Sequence, residues 1–182
     1  NAWALLHYGV DSSGYHNPVY FTAWGSGMNA LESYLMIPFV ALFGTGTAVL
    51  RLPQALMACL SLICVYDLGK HISGRRFALC AVAVLATSPW HIMMARWALE
   101  SNLSPAFLLL GLCFFVRGLS RGRWLYASAA AYGFSLYTYA TIWPIVPILV
   151  LAQAAYALWM KKLRLRNLIG PALVLFLLAL PL

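Results

Sequence analysis

From Phe77 to Val116 the chain runs 40 residues in an almost unbroken apolar pattern. Only "SPWHIMMARWALESN" (88–102) interrupts it, with His91, Arg96, Glu100 and Asn102. As one helix the run would be ~60 Å long, twice the ~30 Å hydrocarbon core of a bilayer. Holding Arg96 and Glu100 at mid-membrane would also cost ~2.5–3.5 kcal/mol for each charge. Two spans joined by a turn near Pro89–Asn102 avoid both problems. The polar stretch then lies at or just above one membrane surface.

A membrane setting follows from composition. The chain is 63% hydrophobic and 9% charged, whereas a soluble domain carries roughly 25% charged residues to keep its surface wet. That balance excludes a disordered chain or a nucleic-acid-binding one, so the net charge of +8 needs another origin. Cys59, Cys64, Cys80 and Cys113 stand singly in apolar runs without a CxxC pair. They read as small reduced core residues, not as disulfides or metal ligands.

Helical spans are expected at 50–69, 76–93, 103–119, 124–140, 142–160 and 168–182, the last cut short. The linkers between them include "KHISGRR" (70–76), "RGLSRGR" (117–123) and "KKLRLR" (161–166). Because alternate spans return the chain to one side, these three linkers must share a face. They hold ten of the twelve basic residues, while the other face receives only Arg51 and Arg96 together with Asp11, Glu32 and Glu100. The positive-inside bias makes the basic face cytoplasmic. The expected fold is all-α, a polytopic transmembrane helical bundle of about six spans over 50–182, preceded by an extracytoplasmic unit over 1–49. Neither an initiator methionine nor a signal segment opens the chain, and Leu182 falls inside an apolar run. Both features lead us to expect an internal piece of a longer membrane protein.

Within 1–49, "HYGVDSSGYHNPVYFTAWGSG" (7–27) is rich in Gly, Ser, Asn and aromatics and reads as a structured outer loop. "MNALESYLMIPFVALFG" (28–44) is apolar at helical spacing but short, interrupted by Glu32 and Pro38, with Gly44 as a C-cap. An interfacial helix along the outer leaflet is expected, with a re-entrant segment as the alternative. Trp3, Tyr8, Tyr15, Tyr20, Trp24 and Tyr34 suit the headgroup level, where a ring buries its body and keeps its polar edge wet.

Three outer clusters result: Asp11 with Tyr15 and His16; Asn29 with Glu32; and His91, Arg96, Glu100 and Asn102. Each has a plain alternative. Arg96 and Glu100 stand four apart and have the spacing of an ion pair on one helical turn, worth a few tenths of a kcal/mol. Asp11 in "GVDSSG" has the setting of an Asx turn. Glu32 reads equally as a solvated interfacial acid, and His16 and His91 as interfacial side chains. "NLS" (102–104) fits a glycosylation acceptor, but Pro105 and the membrane edge disfavour its use. The chain has no Gly-rich phosphate loop, no HExxH and no GxSxG. It has no mid-membrane acid for a proton relay either, since Asp67 lies near the basic end.

The segments that carry a family resemblance are "LFG" closing the interfacial helix, "RLP" opening a span, "GRR" in the next turn, and "SPWHI…AR…LE.N" at the outer end. "YGVDSSGY" followed by "NP.YF" precedes them. In this order and spacing the chain resembles the N-terminal membrane part of the GT-C glycosyltransferases. It is most similar to the bacterial family 39 type, related to protein mannosyltransferases and aminoarabinose transferases. The likeness runs from about Asn1 to Asn102; beyond that only hydropathy is shared.

The resemblance implies sugar transfer from a polyprenyl-phosphate-linked donor on the outer face, to a protein, lipid or glycan acceptor. It also implies an Asp-Glu pair at the outer end of the first span. The chain lacks that pair, which is expected upstream of Asn1 as the main catalytic acid. Within the chain, Asp11 and Glu100 become catalytic candidates, and Arg96 and His91 candidates for the donor phosphate. Glu32, Asn102, Tyr15 and His16 become substrate-binding candidates. Glu32 is also the candidate ligand should a divalent metal take part. Membrane lipids are expected partners and nucleic acid is not. The alternatives are a transporter or flippase of lipid-linked saccharides and a non-catalytic assembly subunit.

Overall fold

The structure, a computed structural model, describes residues 1–23 and 26–182. The headgroup role expected for Trp24 lies outside the described residues. The chain opens with α1 (Ala2–Tyr8), which is closed by Gly9 in the left-handed region, and continues into an antiparallel pair, β1 (Tyr20–Ala23) with β2 (Ser26–Asn29). The helices α2 (Leu31–Phe43), α3 (Thr47–Thr87) and α4 (Pro89–Arg96) follow. A 3-10 turn (Glu100–Leu103) leads into α5 (Ser104–Gly118). The chain ends with α6 (Arg123–Ser135), α7 (Ile142–Trp159) and α8 (Arg166–Ala179). The protein is an all-α membrane bundle with a small hairpin in its first loop, an element the loop's composition did not announce.

Two expected spans are fused in α3. Its 41 residues leave helical space at Ser73 (φ −142°, ψ 17°) and Gly74 (φ 84°, ψ −176°), inside the "KHISGRR" linker. Only glycine enters that second conformation without strain. The two arms, 47–72 and 75–87, then fold back on each other. A Cβ placed on Gly69 would come within 2.9 Å of the Ala78 Cα, and Ala78 is completely buried. The second arm stops at Ser88, held extended (φ −64°, ψ 121°) before Pro89, since a residue preceding proline is pushed out of the α region. Pro89 opens α4 at the position where its missing N–H costs nothing.

α3, the stretch Glu100–Gly118 and α7 are long and apolar enough to cross a membrane. α6, at 13 residues, is shorter than the expected 124–140 span; at ~1.5 Å per residue it covers about 20 Å. It tightens into 3-10 turns because Leu136, Tyr137 and Thr138 donate to carbonyls three residues back. Ser135 and Thr138 hydroxyls bond the local backbone there as well. Between helices the core is tied by buried polar contacts. Gln153 donates to the Tyr132 hydroxyl (2.6 Å), Ser128 to the Gly111 carbonyl (2.7 Å), and Ser104 meets Thr138 (2.7 Å). Large apolar side chains such as Ile63, Val84 and Leu151 face outward, as lipid contact requires and water contact would penalise. Of the four cysteines, Cys64 and Cys113 are in the core as expected, but Cys59 and Cys80 are on the outer surface.

The basic linkers meet at one end of the bundle. His71, Ser120 and Lys162, one from each linker, line a single cavity there. Arg117 Nη2 pairs with Asp67 Oδ1 at 3.0 Å and joins the end of the first α3 arm to the second linker.

The close approach at Gly69 gives a direct test of the hairpin. Gly69→Leu should lower the thermal midpoint in detergent by several degrees, since overpacking costs ~1–3 kcal/mol. Gly122→Ala, at a glycine with open space around it and φ −48°, should leave the midpoint within about a degree.

Candidate functional site

The end of the bundle opposite the basic linkers carries the polar residues. Glu32 sits in the first turn of α2, where a carboxylate faces the positive end of the helix dipole. Glu100 opens the 3-10 turn, and α2 packs against that turn. The backbone N–H of Asn29, at the end of β2, lies beside the Glu100 carboxylate. The hairpin, α2 and the turn thus bring Asn29, Glu32 and Glu100 to one place. Asn29 and Glu32 are buried, at 3% and 8% exposure.

Three oxygens there, Asn29 Oδ1, Glu32 Oε1 and Glu100 Oε2, are buried without a hydrogen-bond donor among the described residues. Each such atom costs ~1–3 kcal/mol if left unpaired. Carboxylate and amide oxygens accept hydrogen bonds, so this buried cluster of acceptors suits hydroxyl donors. Burial first, and the facing Glu100 second, push the Glu32 pKa from 4.5 up to about 7. At neutral pH that carboxyl is therefore poised between its two protonation states.

The ion pair conceivable from the spacing of Arg96 and Glu100 does not form. α4 ends at Arg96, and Trp97 and Leu99 are extended, so the two residues do not share a helical turn. Among the described residues Arg96 pairs with no carboxylate, and its side chain is exposed. His91 lies five residues earlier on α4, ~140° around the helix. It lines a small cavity with Gln54 and Asn102, against α3 and α5. The Asn102 amide donates to the carbonyls of Met94 (3.3 Å) and Trp97 (2.9 Å) and so caps the end of α4.

Asp11, Tyr15 and His16 form a second cluster on the first loop. Asp11 Oδ1 accepts from the Ser13 (2.8 Å) and Tyr15 (2.9 Å) backbone N–H groups, which is the Asx turn allowed by "GVDSSG". Its Oδ2 is buried without a donor among the described residues. Tyr15 and His16 are exposed, and His16 bridges Val10 through the backbone. The Tyr34 hydroxyl donates to the Pro18 carbonyl (3.0 Å), and burial, then the Asp11 charge, raise its pKa above the usual value. A cavity of about 370 Å3 lies between this loop, the start of α2 and the ends of α6 and α8, lined by residues such as Pro18, Leu31, Phe134 and Leu178.

Gln54 was missed by sequence reasoning. It is buried, and its Oε1 lacks a donor among the described residues; a lone amide after Pro53 inside an apolar span was the available signal. Among the described residues no three His, Cys, Asp or Glu side chains group as a metal site would require. Glu32 and Glu100 supply two carboxylates.

A carboxyl with a raised folded-state pKa favours the folded state below its unfolded value and loses that advantage as pH rises. For Glu32 the window runs from pH 4.5 to about 7. Across it, Glu32→Gln should gain on the wild type by on the order of 1–3 kcal/mol. Thermal unfolding in detergent at several pH values measures this; parallel pH curves for the two proteins would refute the buried pair.

Among comparisons with known proteins, residues 31–182 match the profile of the family described as dolichyl-phosphate-mannose-protein mannosyltransferase. The match extends through 103–182, beyond the stretch whose motifs carried the resemblance, and leaves out the first loop. No curated protein and no solved structure matches the chain.

Proposed function

The chain belongs to the dolichyl-phosphate-mannose-protein mannosyltransferase family, and from that premise we propose that it moves a sugar from a polyprenyl-phosphate donor to an acceptor on the extracytoplasmic face of the cell membrane. Family membership makes it a membrane glycosyltransferase that draws on a lipid-linked donor. It favours the enzyme over the flippase.

The observation that carries the reading is the set of donor-less oxygens on Asn29, Glu32 and Glu100. Sugar hydroxyls are the donors such a pocket lacks. Beside it, the 370 Å3 cavity offers apolar walls to the first part of a prenyl chain at the depth where its phosphate leaves the bilayer. The outer side is assigned from the basic linkers gathered at the opposite end.

In the proposed step an acceptor oxygen attacks the anomeric carbon of the donor sugar, and the bond from that carbon to the phosphate oxygen breaks. The acceptor's proton passes to the Glu32–Glu100 pair, in which burial and the facing Glu100 raise the Glu32 pKa to about 7, suited to a general base working near neutral pH. Polyprenyl phosphate leaves as an anion. Arg96, exposed at the end of α4, holds its phosphate oxygens, because a guanidinium matches them bidentately and keeps its charge. Asp11 and the exposed Tyr15 and His16 stand on the loop that an acceptor approaches. The acceptor is a protein, lipid or glycan of the cell envelope.

Sugar transfer from a polyprenyl-phosphate donor in membranes carrying the intact protein tests the assignment. Glu100→Gln should slow transfer by about 10²-fold or more. Arg96→Ala should raise the KM for the donor more than it lowers kcat. Wild-type transfer by both variants at normal expression would overturn the site.

A further inference from the structure

At the basic end, a cavity of about 570 Å3 opens between α3, α5 and α7. It shares His71, Val116 and Ser120 with a neighbouring cavity of about 340 Å3 that also takes in Arg121 and Trp124. The larger volume falls within the roughly 300–1,000 Å3 of sites that hold small ligands. Its inner walls are apolar: Leu68, Ile72, Leu112, Phe115, Val116 and Leu119. Its rim is cationic, with Lys162 on one side and Arg121 in the adjoining cavity.

The charges there are not balanced within the chain. Ten Lys and Arg residues gather in the three linkers, and Asp67 is the one acid near them in sequence. Arg117 takes Asp67 at 3.0 Å, and His71 Nδ1 lies 2.7 Å from the Asp67 carbonyl and 4.0 Å from its carboxylate. Among the described residues neither Arg121 nor Lys162 has a carboxylate partner. The counter-charge for this rim comes from outside the protein.

We propose that this double cavity is a binding site for one anionic phospholipid, with an acyl chain along the apolar walls and the phosphate between Arg121 and Lys162. Charge complementarity selects the ligand: a basic pocket between spans at the headgroup level collects acidic lipids. A free phosphate would leave the apolar walls without a partner, and a zwitterionic lipid brings a cation of its own to a cationic rim. Trp124 supplies the aromatic edge of a headgroup site; it stacks on Phe114, and Arg117 and Arg123 lie 5.6 and 5.8 Å from its ring centroid. The site is at the other end of the bundle from the Glu32–Glu100 pocket and does not depend on the transfer reaction.

The experiment is binding to the delipidated intact protein in a nonionic detergent, read by native mass spectrometry and thermal shift. The probes are phosphatidylglycerol, phosphatidylcholine and glycerol phosphate. Phosphatidylglycerol should bind one to one and raise the midpoint, with the other two bound at least tenfold more weakly. Arg121→Gln with Lys162→Gln should weaken phosphatidylglycerol by roughly 10–30-fold, as expected for two interfacial cations. Arg164→Gln with Arg166→Gln, removing the same charge outside the cavity lining, should leave it within about twofold. Equal binding of phosphatidylcholine, equal binding of glycerol phosphate, or equal losses from the two double variants would overturn the proposal.

Discussion

A charge in a hydrocarbon layer must be paired, neutralised or moved to the boundary, and the chain does each of these. Asp67 is paired, with Arg117 at 3.0 Å across two helices. Glu32 is drawn toward neutrality, its pKa raised to about 7 in a pocket where it faces a second carboxyl. Arg96 is moved to the boundary, at the end of a short helix with its side chain exposed. The spans themselves are left to small buried polar contacts such as Gln153 with Tyr132 and Ser104 with Thr138. Those tie helices together where apolar contact cannot, because lipid is as apolar as leucine.

The break at Ser73 and Gly74 carries this constraint into the architecture. Folding α3 back on itself places "KHISGRR" at one end and returns the chain to the other at Pro89. Each later linker then falls at a predetermined end, so cations and carboxylates separate along the bundle axis. A single continuous helix there would have put Arg75 and Arg76 far from "RGLSRGR" and left Asp67 and Arg117 unable to meet. Gly69 against Ala78 keeps the two arms in close contact beside the break.

How legible this was in the sequence varied with the physics behind each feature. The apolar helices were readable because length and hydropathy are one-dimensional constraints; α3, Glu100–Gly118 and α7 are long and apolar enough to cross a membrane. The α2 helix and its end at Gly44 (φ 76°) were readable from spacing and glycine. The short α6 was not, because the Ser135 and Thr138 hydroxyls tighten its end on nearby carbonyls while Thr138 also meets Ser104, 34 positions away. The β1–β2 hairpin was hidden for a related reason, since its polar loop lacks an alternating apolar pattern. In the site, the individual acids were visible, but that Glu32 faces Glu100 is a tertiary fact across 68 positions of chain. Sequence spacing pointed instead to Arg96 and Glu100, four apart, and a helix end between them made that spacing irrelevant.

Asn102 illustrates how much of such a site is scaffold. Its amide closes α4 by bonding the Met94 and Trp97 carbonyls, which would otherwise face the membrane edge as unpaired acceptors. That cap fixes where the chain leaves α4 and so where the 3-10 turn begins. Glu100 is thereby set beside the Asn29 N–H and the Glu32 carboxyl, with its Oε2 buried. Neither acid that defines the pocket lies in the middle of a spanning helix. Both sit on short elements at the boundary, where a carboxyl can be half-desolvated without being fully buried in lipid. That partial burial, with the second carboxyl nearby, is what raises the Glu32 pKa to about 7.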